Sequence, residues 1–263
     1  LAVGGSLFAV GLMVLGLAYY FFREQSRVRR LAQERVSFVT QVSHELKTPL
    51  TNIRLYAELL DEKLDDDGPR RHLGVIVSES QRLSRLINNI LTFSKRQNDR
   101  LLLRRSEVDA GALVDGVLAQ FEPSFTSKGL SASVSGGAPR KIEADPDAVG
   151  QILGNLLSNV EKYAAQGKKV EIDVSQDEAA TTIAVRDFGA GIPEGHREKV
   201  FDPFYRVSDK LSDGATGTGI GLTIARELAR LHGGDLVLEP AEPGIRFILK
   251  VPNAPEPRGG ATA

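Results

Sequence analysis

The 263-residue chain contains no cysteine and a single methionine, and its charges almost cancel: 33 Lys and Arg stand against 34 Asp and Glu, a formal net charge of -1. Without cysteine no disulfide holds the fold, which agrees with a reducing compartment. Without a positive excess, bulk charge does not hold the protein on nucleic acid, so no direct nucleic-acid binding is expected. The most informative deficit is local. Residues Leu1 to Phe22 carry no charge and no proline; as a helix they span roughly 33 Å, matching a bilayer's hydrocarbon core. No basic residue precedes the run and it is too long for a signal peptide's apolar region, so a transmembrane helix over 1–22 is expected. Tyr19 and Tyr20 suit the membrane interface, and Arg23, Arg27, Arg29, Arg30 and Arg35 follow at once, which orients the remainder toward the cytoplasm. The lone Met13 lies inside the run, and starting there leaves too short a span; the true N-terminus is expected upstream.

From Arg23 to Arg96 the pattern is that of two long helices. Val28, Leu31, Phe38, Val42, Leu46, Pro49, Ile53, Tyr56 and Leu60 step at three and four; Asp65-Asp66-Asp67-Gly68-Pro69 interrupts; Leu73, Ile76, Leu83, Ile87 and Ile90 resume, with Ser80 and Ser94 in register. A hairpin cannot bury such stripes alone, so 23–97 is expected to form a four-helix bundle from two chains, a homodimer. Residues 98–252 read as mixed α/β. Strands are expected at Val170 to Val174, Thr181 to Arg186, Asp235 to Leu238 and Ile245 to Val251, and helices at Asp147 to Tyr163 and Ile220 to His232. Asp145-Pro146 marks a helix start and Gly233-Gly234 a helix end. The stretch from Gly189 to Thr218 reads as an extended mobile loop, and 253–263, rich in Pro, Gly and Ala, as a disordered tail.

Four groups of residues suit chemistry. Ser37, Gln41, His44, Thr48 and Thr51 form a polar stripe that turns His44 away from the core, with Glu45 beside it. A carboxylate beside an accessible imidazole raises its nucleophilicity, although a lone exposed histidine is more often a solvated surface residue. Asn155, Asn159 and Lys162 share a helix face opposite Val149, Ile152, Leu153, Leu156, Leu157 and Val160; they offer hard oxygen to Mg²⁺ and positive charge to phosphate, or merely bridge local backbone. Asp187-Phe188-Gly189-Ala190-Gly191-Ile192 follows a strand, and Gly217-Thr218-Gly219-Ile220-Gly221-Leu222 opens the last helix. Glycines there let backbone N–H groups approach phosphate, or serve as tight turns. Neither cluster has P-loop or Rossmann spacing. Asp187-Phe188-Gly189 does not make a Ser/Thr kinase, since the nearest triplet to its catalytic loop, His196-Arg197-Glu198, lies downstream and lacks the Asp.

Taken in order, these motifs resemble the bacterial two-component sensor histidine kinases from Val36 to Pro252. Val42-Ser-His44-Glu45-Leu-Lys-Thr48-Pro49-Leu is similar to the H box, implying His44 as phospho-acceptor and Glu45 as general base; Glu45 and Thr48 also match the Glu-x-x-Thr motif that supports phosphatase action on a response regulator. Asn155-Leu-Leu-Ser-Asn159-Val-Glu-Lys162-Tyr163 is similar to the N box, implying Asn159 as Mg²⁺ ligand, Asn155 and Lys162 near the phosphates, and Tyr163 beside adenine. Asp187 to Gly191 resembles the G1 box, whose Asp accepts from the adenine amino group. Phe201-Asp-Pro-Phe204-Tyr-Arg206 resembles the F box of the ATP lid, and Gly217 to Gly221 the G2 box. Lys47 stands where Arg is usual, and Glu161 puts an acid at a position often apolar.

The resemblance implies a Bergerat-type α/β sandwich over 98–252, ATP and Mg²⁺ as cofactors, and a receiver domain of a response regulator as partner. It further implies a place in the bacterial inner membrane with the catalytic part in the cytoplasm. His44 attacks the γ-phosphate in line, and the product suits onward transfer to an Asp. Only some 14 residues separate Phe22 from the H-box region, too few for a HAMP relay, so the span is expected to run directly into the signalling helix. The intact His44, Asn159, Asp187 and glycine clusters argue against a catalytically dead scaffold.

Overall fold

The computed structural model describes residues 13, 17, 19, 20, 46, 47, 49–57, 68–97, 101–207 and 217–253. The chain divides into two compact units, Leu1–His44 and Glu45–Ala263. In the first, Met13, Leu17, Tyr19 and Tyr20 are helical and exposed. The rest of the expected span lies outside the described residues, among which no helix is long and apolar enough to cross a membrane. The expected tail over 253–263 also lies, beyond Asn253, outside them.

The second unit opens with helical residues 46, 47 and 49–57; α1 denotes 49–57. Pro49, expected within the helical pattern, is indeed helical and buried. Helix α2 (Gly68–Gln97) starts on the Gly68-Pro69 pair of the predicted break, because the missing proline N–H costs nothing in a first turn. Its apolar residues divide into two sets. Ile76, Leu83 and Ile90 are half-buried and Phe93 is buried, whereas Leu73, Val77, Ile87 and Leu91 stay 44–55% exposed.

Beyond α2 lie β1 (Ser106–Val108), α3 (Ala110–Lys128), β2 (Ser131–Gly136), β3 (Ile142–Ala144) and α4 (Pro146–Tyr163). They are followed by β4 (Lys169–Gln176), β5 (Ala180–Asp187), α5 (Gly221–Leu231), β6 (Asp235–Pro240) and β7 (Ile245–Pro252). A five-stranded sheet runs β2-β4-β5-β7-β6, with β2 parallel to β4 and the other neighbours antiparallel. β1 and β3 pair separately. Helices α3, α4 and α5 pack side by side onto the sheet, α3 against β2, α4 against β5 and α5 against β6 and β7. The result is the two-layer α/β sandwich expected. Period-two burial creates its core: Val170, Ile172 and Val174 on β4, Ile183 and Val185 on β5, Phe247, Leu249 and Val251 on β7.

Every strand and helix expected between 147 and 251 is present; the four strands and α4 run one or two residues further at one or both ends, and α5 is one residue shorter at each end. Asp145 caps α4 by accepting from the N–H of Asp147 and Ala148, and Pro146 is the first residue of the helix. His232, just past α5, accepts the Asp145 N–H at Nε2 (3.1 Å) and bonds Leu228 O through Nδ1 (2.7 Å), which ties the ends of α4 and α5 together. Burial lowers its pKa. Gly233, at φ 85°, ends α5 as expected.

Candidate active site

Between α4, the end of β5, the loop after it and the start of α5 lies a cavity of about 450 Å³. α4 is amphipathic: Ile152, Leu153, Leu156 and Leu157 are buried in the core, which turns Asn155, Asn159 and Lys162 to the cavity. All the predicted nucleotide residues line it except one: Asn155, Asn159, Lys162, Tyr163, Asp187, Gly189, Gly191, Ile192, Arg206, Gly217, Thr218, Gly219, Gly221 and Leu222. Phe201 does not. Its ring is buried edge-on against Phe247, 6.3 Å between centroids, beneath the Arg226 guanidinium at 4.6 Å. Arg226 also pairs with Glu198 (3.0 Å) and Asp235 (3.1 Å), so Phe201 and its neighbours anchor the loop to α5.

Asp187 ends β5 with only 7% of its surface exposed. Burial pushes its carboxyl above the usual carboxylate range, and the N–H groups of Gly189 (2.9 Å) and Ile245 partly offset that push. The close fit around it depends on glycines. A Cβ on Gly189 would lie 2.7 Å from Ala164 Cβ, and one on Gly244 would lie 2.0 Å from Asp187 O. Gly219 has φ 70° and sits against the Phe204 backbone, where a Cβ would come within 2.8 Å. Gly217 faces the Tyr163 hydroxyl and Gly221 faces the Asn155 amide. These glycines therefore bring backbone against protein as well as opening the cavity. The loop expected between 189 and 218 contains two 3-10 turns, Glu194–His196 and Lys199–Phe201, and its residues 208–216 lie outside the described residues.

Sequence reasoning missed one wall. Pro49, Arg82, Arg85, Leu86 and Asn89 also line the cavity, brought there by α1 and α2. Asn89 Nδ2 donates to Asn155 Oδ1 (2.8 Å), and Asn155 Nδ2 donates to Asn89 Oδ1 (3.1 Å) and to Gly221 O (3.0 Å). Gln151 Nε2 donates to Asn89 Oδ1 (2.9 Å) and Thr92 Oγ1 to Gln151 Oε1 (3.1 Å). Arg96 pairs with Glu227 at 3.1 Å, and Phe93 meets Phe204 edge-on at 5.5 Å. The charged lining is Arg82, Arg85, Lys162 and Arg206 against Asp187 alone, a field that suits a polyanion. Glu161 does not line the cavity; it pairs with Lys128 of α3 at 3.0 Å. The phospho-acceptor candidates His44, Glu45 and Thr48 lie outside the described residues.

Comparison with known proteins gives two family matches: His Kinase A (phospho-acceptor) domain over residues 34–99, and Histidine kinase-, DNA gyrase B-, and HSP90-like ATPase over residues 144–255. The chain is 37% identical over 220 residues to the sensor histidine kinase WalK of Bacillus subtilis (strain 168), which covers 81% of the chain and 36% of that protein. Among solved structures it is similar to histidine kinase ThkA in complex with response regulator protein TrrA, with a TM-score of 0.56, 26% identity, and coverage of 86% of this chain and 65% of that one. It is also similar to full-length ShkA in complex with AMPPNP, with a TM-score of 0.57, 27% identity, and coverage of 83% of this chain and 46% of that one. The chain thus spans well under half the length of the curated relatives it matches.

Proposed function

Because the chain belongs to the bacterial two-component sensor histidine kinases by its two domain matches and its relatives, we propose that it is an ATP-dependent protein-histidine kinase that phosphorylates His44 and passes the phosphoryl group to an Asp of a response regulator. The observation that carries this reading is the cavity itself. Four cationic side chains and one buried carboxylate face a space bounded by Asn159 and two glycine clusters, which suits a purine at Asp187 and a phosphate chain toward Lys162 and the start of α5. The complexes of ShkA with AMPPNP and of ThkA with TrrA support nucleotide and response regulator as the two partners.

In this reading Asp187 accepts from the adenine amino group, Tyr163 lies beside the ring, and Asn155, Lys162 and Arg206 orient the phosphates. Mg²⁺ fits the donor set. Among the described residues no cluster of His, Asp or Glu is suited to grip a metal by itself, and Mg²⁺ commonly takes one or two protein oxygens together with substrate phosphates and water. The Asn159 amide oxygen supplies one; the ion, when bound, neutralises phosphate charge. A ring nitrogen of His44 bonds to the γ-phosphorus, the bond to the β–γ bridging oxygen breaks with its electron pair leaving on ADP, and Glu45 takes the imidazole proton.

Residues 23–97 are assigned to dimerisation and phosphotransfer, and 98–252 to nucleotide binding. The homodimer is supported by α2, where Leu73, Val77, Ser80, Ser84, Ile87 and Leu91 form an exposed seam stepping by four and three. Leu1 to Phe22 is assigned to the bacterial inner membrane from its composition, with the catalytic part in the cytoplasm. The test is to incubate the 263-residue protein with γ-labelled ATP and Mg²⁺. Acid-labile, base-stable label that is absent in His44→Gln is the expected result; label persisting in that variant would refute the phospho-acceptor assignment.

A further inference from the structure

Two of the four cations facing the cavity, Arg82 and Arg85, come from α2, and among the described residues Arg85 forms no ion pair. Its guanidinium packs over the Phe121 ring, 4.6 Å from the centroid, and its stem lies beside Gly154. Burial lowers its pKa from the usual guanidinium value; the Glu161 carboxylate partly offsets that effect and the neighbouring Arg82 charge adds to it. Among the described residues Arg85 makes no hydrogen bond and no ion pair. Of the two carboxylates whose fields reach it, Glu161 is paired with Lys128 at 3.0 Å, and Glu79 faces Arg82 at 3.5 Å without a hydrogen bond at that oxygen. A guanidinium carries five donors, and none of those of Arg85 is sealed from solvent, so they are open to an anion that enters the cavity.

The backbone beneath Arg85 is held in register. One turn on, Asn89 is bonded to Asn155 and Gln151, and Asn155 in turn donates to Gly221 O at the head of α5. Arg85 is therefore held one helical turn from the end of the cavity formed by Asn155 and the Gly217–Gly221 cluster, the end read above as that of the phosphates.

We infer that Arg85 binds the phosphate chain of the nucleotide, so that one of the phosphate contacts is supplied by the helical hairpin and not by the ATP-binding domain. The inference rests on the nucleotide reading of the cavity. Its consequence is that bound nucleotide bridges α2 and α4 and favours the docked arrangement, because a ligand stabilises the state that offers it more contacts.

The test is calorimetric titration of the 263-residue protein with ATP, ADP and adenosine in the presence of Mg²⁺. Arg85→Gln is expected to weaken ATP at least about tenfold, the loss of a charge-assisted hydrogen bond, to weaken ADP, and to leave adenosine within about twofold; the unchanged adenosine affinity shows that the variant is folded. Arg85→Lys, which keeps the charge, recovers part of the loss. ATP affinity in Arg85→Gln within about twofold of wild type overturns the inference, as does an equal loss for adenosine. Asp187→Asn separates the two levels. ATP binding lost in Asp187→Asn but untouched in Arg85→Gln overturns this inference alone, whereas a wild-type chain that binds no ATP overturns the nucleotide reading with it.

Discussion

Replacing Gly244 with alanine tests how far Asp187 depends on the turn that precedes β7. Gly244 is buried at φ 92°, and a Cβ there would stand 2.0 Å from Asp187 O and 2.8 Å from Asp187 Oδ1. The left-handed backbone alone costs an alanine about 1–2 kcal/mol. Relief of the clash requires the start of β7 to move away from the end of β5 by more than about 1 Å. Arg186 and Arg246, register partners beside that point, belong to the same ladder, so the movement sacrifices about one hydrogen bond, roughly 1 kcal/mol. The total is about 2–3 kcal/mol, or a fall in Tm of roughly 4–12 °C for a unit of this size. ATP affinity falls with it, because Ile245 N–H helps to hold the Asp187 carboxylate. Gly116→Ala is the matched control. Gly116 is exposed on α3 with nothing within 4 Å of a new Cβ, so the same chemical change there stabilises by about 0.5–1 kcal/mol. Thermal unfolding followed by circular dichroism and ATP titration read both variants. A Tm for Gly244→Ala within about 2 °C of wild type, or a shift of the same sign in both variants, refutes the reasoning.

Three further outcomes follow from the site. Glu161→Leu removes a half-exposed ion pair with Lys128 and nothing that lines the cavity, so it changes stability by less than about 1 kcal/mol and leaves ATP affinity within about twofold; a larger loss of affinity would show that Glu161 acts on the nucleotide. Asn89→Ala removes the amide bonds to Asn155 and Gln151 and, at about 1–3 kcal/mol, speeds amide exchange at the contact between α2 and α4 roughly fivefold or more; unchanged exchange would mean that the contact does not persist in solution. Asp187→Asn abolishes ATP binding yet raises Tm at pH 7. The folded state raises the Asp187 pKa by burial, so the unfolded chain binds fewer protons between the unfolded and folded pKa values and the charged carboxylate burdens the fold above them. The gain shrinks as pH falls through the raised pKa toward the ordinary value, and a gain that grew on acidification would contradict the assignment.

The fold was legible wherever a single period dominated. β4 alternates strictly, β5 and β7 carry short apolar runs, Ile183 to Val185 and Phe247 to Leu249, and α4 carries an unbroken apolar stripe behind an Asp145-Pro146 cap, so their positions followed from pattern and capping chemistry. α3 was not identified although Ala110, Val114, Val117, Phe121 and Phe125 are buried at helical spacing. Its exposed face mixes Gly116, Ala119 and Pro123 with Asp115 and Glu122, which blunts the contrast on which periodicity depends. β2, Ser-Ala-Ser-Val-Ser-Gly, is exposed throughout. An edge strand without a buried face leaves no alternation to read, and it is defined only by its pairing with β4.

The site divides in the same physical way. Residues that reach the cavity from their own element, such as Asn159 and Asp187, were visible because face and strand end are local properties. Arg82, Arg85 and Asn89 were not, since a polar stripe on a long helix has the same composition whether it meets water or a second domain. The bonds from Asn89 and Thr92 across to α4 and from Arg96 to α5 distinguish the two cases. Gly244 was hidden for a related reason. A Pro-Gly pair in a strand connection is sufficiently explained by the turn, and its second task, making room for Asp187, exists only once β5 and β7 are neighbours. Function that arises from contact between distant segments therefore leaves residues whose local role already accounts for them, and a half-buried guanidinium without an ion pair, such as Arg85, is the kind of residue whose local role does not.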